Sequence, residues 1–283
     1  MGLTYMFEQI EIIPVLCRVA VGVIVFMGAT MGIYSLLTRQ SLRQPISLSA
    51  IDSLRTRPLS PLCAIPVMGV TILFAVLAAG QTKTAHATPS ATSMLMGAGL
   101  YSVMLFSTVW MCLAASKVGF REAFGIRVCP WRVAVSKGVR YGLEILPLVL
   151  LVSIGVSCMG EALGFDMKAQ QIFDCLEDPH ISVWVRGALI LCAVGIAPVL
   201  EELLFRGVLF SIALKGRTFL FAALMTSLYF AIMHLHGPSL LSLLVLSVGF
   251  SAGYAATGSI LTPIVMHAVF NLTGLLLFFA EIK

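Results

Sequence analysis

Eight stretches of this chain, near 13–37, 62–80, 91–115, 139–160, 181–200, 218–235, 239–256 and 260–280, are each apolar over roughly the 20 residues that a helix needs to cross a bilayer core. That property excludes most folds. A backbone surrounded by hydrocarbon must satisfy its own N–H and C=O groups, so such segments are helical. The expected architecture is all-α: a polytopic membrane protein with about eight transmembrane helices in one bundle. Composition agrees, because 59% of the 283 residues are hydrophobic and only 11% are charged, too few to cover a soluble domain of this length. The fifth stretch stays apolar beyond two glutamates to about Leu214. It reads as one long tilted helix, bent at Pro198, where an intrahelical bond is lost.

Charge is distributed unevenly between the loops. Arg39, Arg43, Arg55 and Arg57 lie in 38–61, six more cations in 116–140, and Lys215 and Arg217 in the connection 215–217. On alternating passes these three loops share one side, and an acidic loop containing Glu161, Asp174 and Glu177 lies opposite. The positive-inside rule makes the basic side cytoplasmic and puts both termini on the other side of a plasma (inner) membrane. Nucleic acid is excluded as a partner, since the cations sit in short loops with no basic domain behind them. Seven scattered cysteines without a C-x-x-C pair read as small buried hydrophobes. Residues 1–180 contain no motif, so the chemistry falls to 181–283, the two parts forming one integral membrane unit.

Charges inside apolar segments are costly and point to function. Residues 199–210 read VLEELLFRGVLF. Glu202 and Arg206 are four apart on one helix face in the favourable order, so they form a local pair. Glu201 is turned about 100° away with no local partner, which suits a general base. Two further stretches add matching chemistry: FAIMH, with Phe230 and His234, and HAVFN, with His267 and Asn271. Helix-rise arithmetic about the turn near Gly216 places Glu201 and His234 within about 5 Å in depth, towards the non-cytoplasmic face. His267 and Asn271 can reach the same level. Glu144 has a local partner in Arg140, and His236 reads as a packing residue beside a Gly-Pro turn. A carboxylate, two imidazoles and an amide are the parts of a water-activating hydrolase. A non-catalytic membrane scaffold or immunity-type protein is an alternative. A proton-coupled transporter is another, although its polar residues would be spread along several helices instead of three short stretches.

EELLFR, FAIMH and HAVFN, in that order, resemble the E-E-x-x-x-R, F-x-x-x-H and H-x-x-x-N pattern of the CAAX protease and bacteriocin-processing family. That family comprises intramembrane endopeptidases and includes the Ras-converting prenyl-protein endopeptidase and Abi-like bacterial proteins. The resemblance covers the last third of the chain. It implies a peptidase with Glu201 as base, His234 helping to activate water, and His267 and Asn271 stabilising the oxyanion. Glu202 and Arg206 would be structural supports, with Phe230 beside them. The implied substrate is a prenylated or membrane-associated protein, or a leader peptide, met at the lipid bilayer. The cofactor stays open. Glu201, His234 and His267 could hold one divalent metal such as zinc, as in a metalloprotease, and a metal-free Glu–His-activated water fits the spacing equally.

Overall fold

The computed structural model describes residues 19–20, 22–30, 48–84, 91–165, 167 and 171–281. Every regular element among them is helical. The principal helices are α1 (Leu48–Arg55), α2 (Ala64–Thr84), α3 (Ala91–Ser116), α4 (Trp131–Ala162), α5 (Val183–Gly216), α6 (Phe219–Met233), α7 (Leu240–Thr257) and α8 (Leu261–Glu281). Among the described residues six segments are long and apolar enough to cross a membrane. They account for all the expected crossings except 13–37 and 218–235. Most of the first of these, with Arg39 and Arg43 beyond it, lies outside the described residues. The second shortens to α6, whose 15 residues extend only about 22 Å. A full crossing needs about 30 Å.

The basic loops do share one end of the bundle. Arg55 Nη2 donates to the Arg217 carbonyl (3.0 Å), joining α1 to the α5–α6 turn. Arg57 donates through Nη1 to the Glu122 carbonyl (2.6 Å) and through Nη2 to the Gly258 carbonyl (2.7 Å), so three loops meet on one guanidinium. Gly258 closes α7 in a left-handed conformation (φ 64°) that a side chain would strain. Exposed tryptophans begin α4 and α5 at opposite ends of the bundle, Trp131 and Trp184, as expected of interfacial anchors.

Between helices, small residues permit close approach. α4 packs along α7 and α8, which ties the N-terminal helices to the motif-bearing ones. At Gly138 a Cβ would stand 2.7 Å from Val265 Cβ and 2.9 Å from the Thr262 carbonyl oxygen, so the seam between α4 and α8 has no room for one. Gly138→Ala is expected to cost about 1–3 kcal/mol by overpacking. Thermal unfolding in mild detergent checks this, with Gly155→Ala, where a Cβ meets nothing within 4 Å, as the unaffected control.

The long α5 is not uniformly α-helical. It widens into π-helical turns at Cys192–Ile196 and Leu203–Phe210, on either side of the two glutamates. The break expected at Pro198 takes this form. Ala197 N–H donates to the Cys192 carbonyl, one residue further back than in an α-helix. The Ala193 carbonyl therefore loses its usual donor, and the next residue, Pro198, has no N–H to replace it. Such widened turns recur at functional sites.

Candidate active site

Three helices converge on Glu201. Its Oε2 lies 3.9 Å from His234 Nε2, just past the end of α6, and 4.0 Å from His267 Nε2 on α8. Both gaps are too long for a direct hydrogen bond and short enough for one water to bridge. The other ring nitrogen fixes how each imidazole faces the carboxylate. His234 Nδ1 is 2.8 Å from the Phe230 carbonyl, which can only accept, so Nδ1 carries the hydrogen. His267 Nδ1 is 3.0 Å from Glu202 Oε1, a carboxylate acceptor, with the same consequence. Each ring therefore directs its Nε2 towards Glu201.

Beneath this group lies a fully buried support. Arg206 Nη1 donates to Glu202 Oε1 at 2.9 Å, the pair expected from the i,i+4 spacing. Arg206 Nη2 donates to the Ser247 carbonyl (3.1 Å) and to its hydroxyl. The guanidinium is held between the rings of Phe230 and Phe250, at 4.7 and 5.1 Å. Phe250 also stacks on His267, with centroids 5.1 Å apart and planes 26° off parallel. Glu202 Oε1 thus joins Arg206 to His267, and the brace sets the ring that faces Glu201. The Glu201 side chain is 13% exposed and that of His234 is 26% exposed, against 5% for His267. The cluster opens on its Glu201–His234 side.

Asn271 is engaged elsewhere. Its Nδ2 donates at 2.7 Å to the Ala193 carbonyl, the group left without a helix donor before Pro198. One turn beyond His267, the amide therefore clasps α8 to the widened turn of α5. His236 bonds Ser239 within the α6–α7 turn (2.7 Å), and Arg140 pairs with Glu144 (2.8 Å), both local as expected.

A bound metal would need these donors closer together. Three ligands at zinc distances of about 2.1 Å stand about 3.4 Å apart in tetrahedral geometry. The 3.9 and 4.0 Å separations here are wider, and among the described residues no group of three His, Cys, Asp or Glu side chains could hold a metal ion. The arrangement fits a water better than a zinc.

Comparison with known proteins bears on the same region. Residues 183–273 match the family model described as Type II CAAX prenyl endopeptidase Rce1-like. This stretch is similar to that family. It runs from the start of α5 into α8 and contains all seven residues singled out in the sequence. A Bacillus subtilis (strain 168) protein named "Putative membrane peptidase YdiL" is 34% identical over 76 residues, 27% of this chain. The chain spans 31% of that relative's length. No solved structure matches the chain.

Sequence reasoning missed Phe250 and Ser247, which fix Arg206 from α7. Their signal lay in LLSLLVLSVGFSAGY, where Ser247 and Ser251 recur at i,i+4 in an apolar run, the mark of a helix face turned to a neighbouring helix. That mark says nothing of which neighbour.

Proposed function

We propose that the chain is an intramembrane endopeptidase that hydrolyses a peptide bond with a water held between Glu201 and the two imidazoles. The observation that carries this reading is the pair of water-sized gaps from Glu201 Oε2 to His234 and His267, with both Nε2 atoms facing the carboxylate. The Rce1-like match over 183–273 supports a peptidase and, through its name, a prenylated peptide as substrate.

The charges suggest how the parts divide. Glu202 and Arg206 neutralise each other, leaving Glu201 as the carboxylate that the imidazoles must answer. Nδ1–H of His267 is committed to Glu202, so the hydrogen with which this ring serves the scheme is one at Nε2. Water then donates its two hydrogens to Glu201 and His234, leaving an oxygen lone pair for attack. As the oxygen bonds to the scissile carbonyl carbon, Glu201 takes a proton. The carbonyl oxygen, now negative, accepts from His267 Nε2–H. Collapse breaks the C–N bond, and Glu201 passes its proton to the departing amine. Asn271 acts as a positioning residue in this scheme, setting the α8 register that carries His267.

Terminal-peptide proteomics on cells carrying the wild-type chain or Glu201→Ala tests the assignment. New termini that depend on Glu201 are expected, on membrane-tethered proteins. Their absence would remove the peptidase reading. In the purified enzyme, cleavage of the substrate so found is expected to survive a zinc chelator, and its loss and recovery with added zinc would overturn the water-only arrangement.

A further inference from the structure

At the basic end of the bundle, about two dozen ångströms along α5 from Glu201, lies a cleft of about 580 Å³ whose lining includes Arg55, Lys215, Gly216, Arg217, Thr218 and Phe221. Its cations are held in place. Arg55 is fixed by the Leu214 and Arg217 carbonyls (3.1 and 3.0 Å) and pairs with Asp52 at 3.2 Å. Lys215 Nζ donates to the Leu59 carbonyl at 2.6 Å, and the Arg217 guanidinium lies 5.3 Å from the Phe221 ring centroid. A carbonyl or a ring orients a cation without cancelling its charge. Among the described residues, no carboxylate pairs with Lys215 or Arg217. The N-terminus of α6, capped by Thr218, adds its partial positive charge.

The cleft is also continuous with an apolar surface. Phe221, Met225, Leu228 and Ile232 recur at i, i+4, i+7 and i+11 on α6, and all four are exposed. This stripe leads from the cleft along the bundle towards His234. A soluble anion has no use for such a surface, whereas a lipid has a phosphate at one end and a chain at the other.

We propose that the cleft binds the phosphate of an anionic phospholipid, with Lys215 and Arg217 as its charge partners and an acyl chain along the α6 stripe. The shared chemistry is a phosphate anion, and the lipid source follows from the stripe and from the cleft's place at the basic end of membrane-crossing helices. The site is separate from the hydrolytic cluster and does not depend on the peptidase reading.

Native mass spectrometry of the full chain in detergent, titrated with phosphatidylglycerol and phosphatidylcholine, tests it. The wild type is expected to retain phosphatidylglycerol in preference. Lys215→Gln with Arg217→Gln should reduce that preference by more than about tenfold, close to fivefold per charge. Arg217→Gln alone, which leaves the Lys215–Leu59 bond in place, should lose about fivefold and so covers a double variant that fails to fold. Arg121→Gln with Arg127→Gln, on the same face outside the cleft, should change nothing. An unchanged preference in the cleft variants, or an equal loss in the Arg121/Arg127 pair, would overturn the proposal. Displacement of the lipid by millimolar inorganic phosphate would overturn the lipid assignment in favour of a soluble anion.

Discussion

Glu201→Gln is expected to lower kcat for peptide hydrolysis by about 10²–10⁴-fold, the range for loss of a positioned general base, with little change in KM. The substitution is close to isosteric. Glu201 makes no direct hydrogen bond to the imidazoles that face it, at 3.9 and 4.0 Å, so the amide replaces the carboxylate without stranding a partner. Thermal unfolding in detergent should stay near the wild-type value. That combination separates a chemical role from a structural one. Hydrolysis at the wild-type rate in a folded Glu201→Gln protein would mean that water is activated elsewhere, and the hydrolytic reading would fail.

Arg206→Ala is expected to have the largest effect on stability. It removes the cation from a carboxylate with no exposed surface, leaving Glu202 with His267 alone and with Oε2 already unpartnered. Breaking one side of a buried ion pair costs about 3–5 kcal/mol, because the remaining charge is uncompensated. For a protein of this size that corresponds to roughly a 6–20 °C drop in melting temperature. It also empties the space between Phe230 and Phe250. The double variant Glu202→Gln with Arg206→Met should recover part of the loss, since neither charge then remains. Its hydrolysis should stay impaired, because His267 Nδ1 has lost the carboxylate that orients it. A double variant no more stable than Arg206→Ala would show that the aromatic sandwich, and not the buried charge, dominates.

The brace was legible in the sequence because a helix presents i and i+4 together, and a pair of opposite charges in apolar surroundings has few alternatives to each other. The same spacing singled out His234 and His267. Their approach to Glu201 is a contact between helices, and rise arithmetic supplied only approximate depth, with no rotation about each helix axis. Two features escaped for related reasons. The π turns flanking the glutamates depend on which carbonyl each N–H reaches, and nothing in Cys192–Ile196 announces that choice apart from the following proline. Asn271 stood in the motif with the right chemistry for an oxyanion, yet its amide goes to a carbonyl that becomes available only through that turn. The sixth apolar stretch read as a longer helix because composition does not show that α6 stops at Met233.

The three-loop junction at Arg57 also bears on how the chain is made. The bond from Arg57 to the Gly258 carbonyl joins residues 201 apart in sequence. At synthesis rates of about 5–20 residues per second, Arg57 waits roughly 10–40 s for that carbonyl to leave the ribosome. In the meantime Arg57 can be held only through the Glu122 carbonyl, 65 residues on, and the α7–α8 hairpin completes the junction.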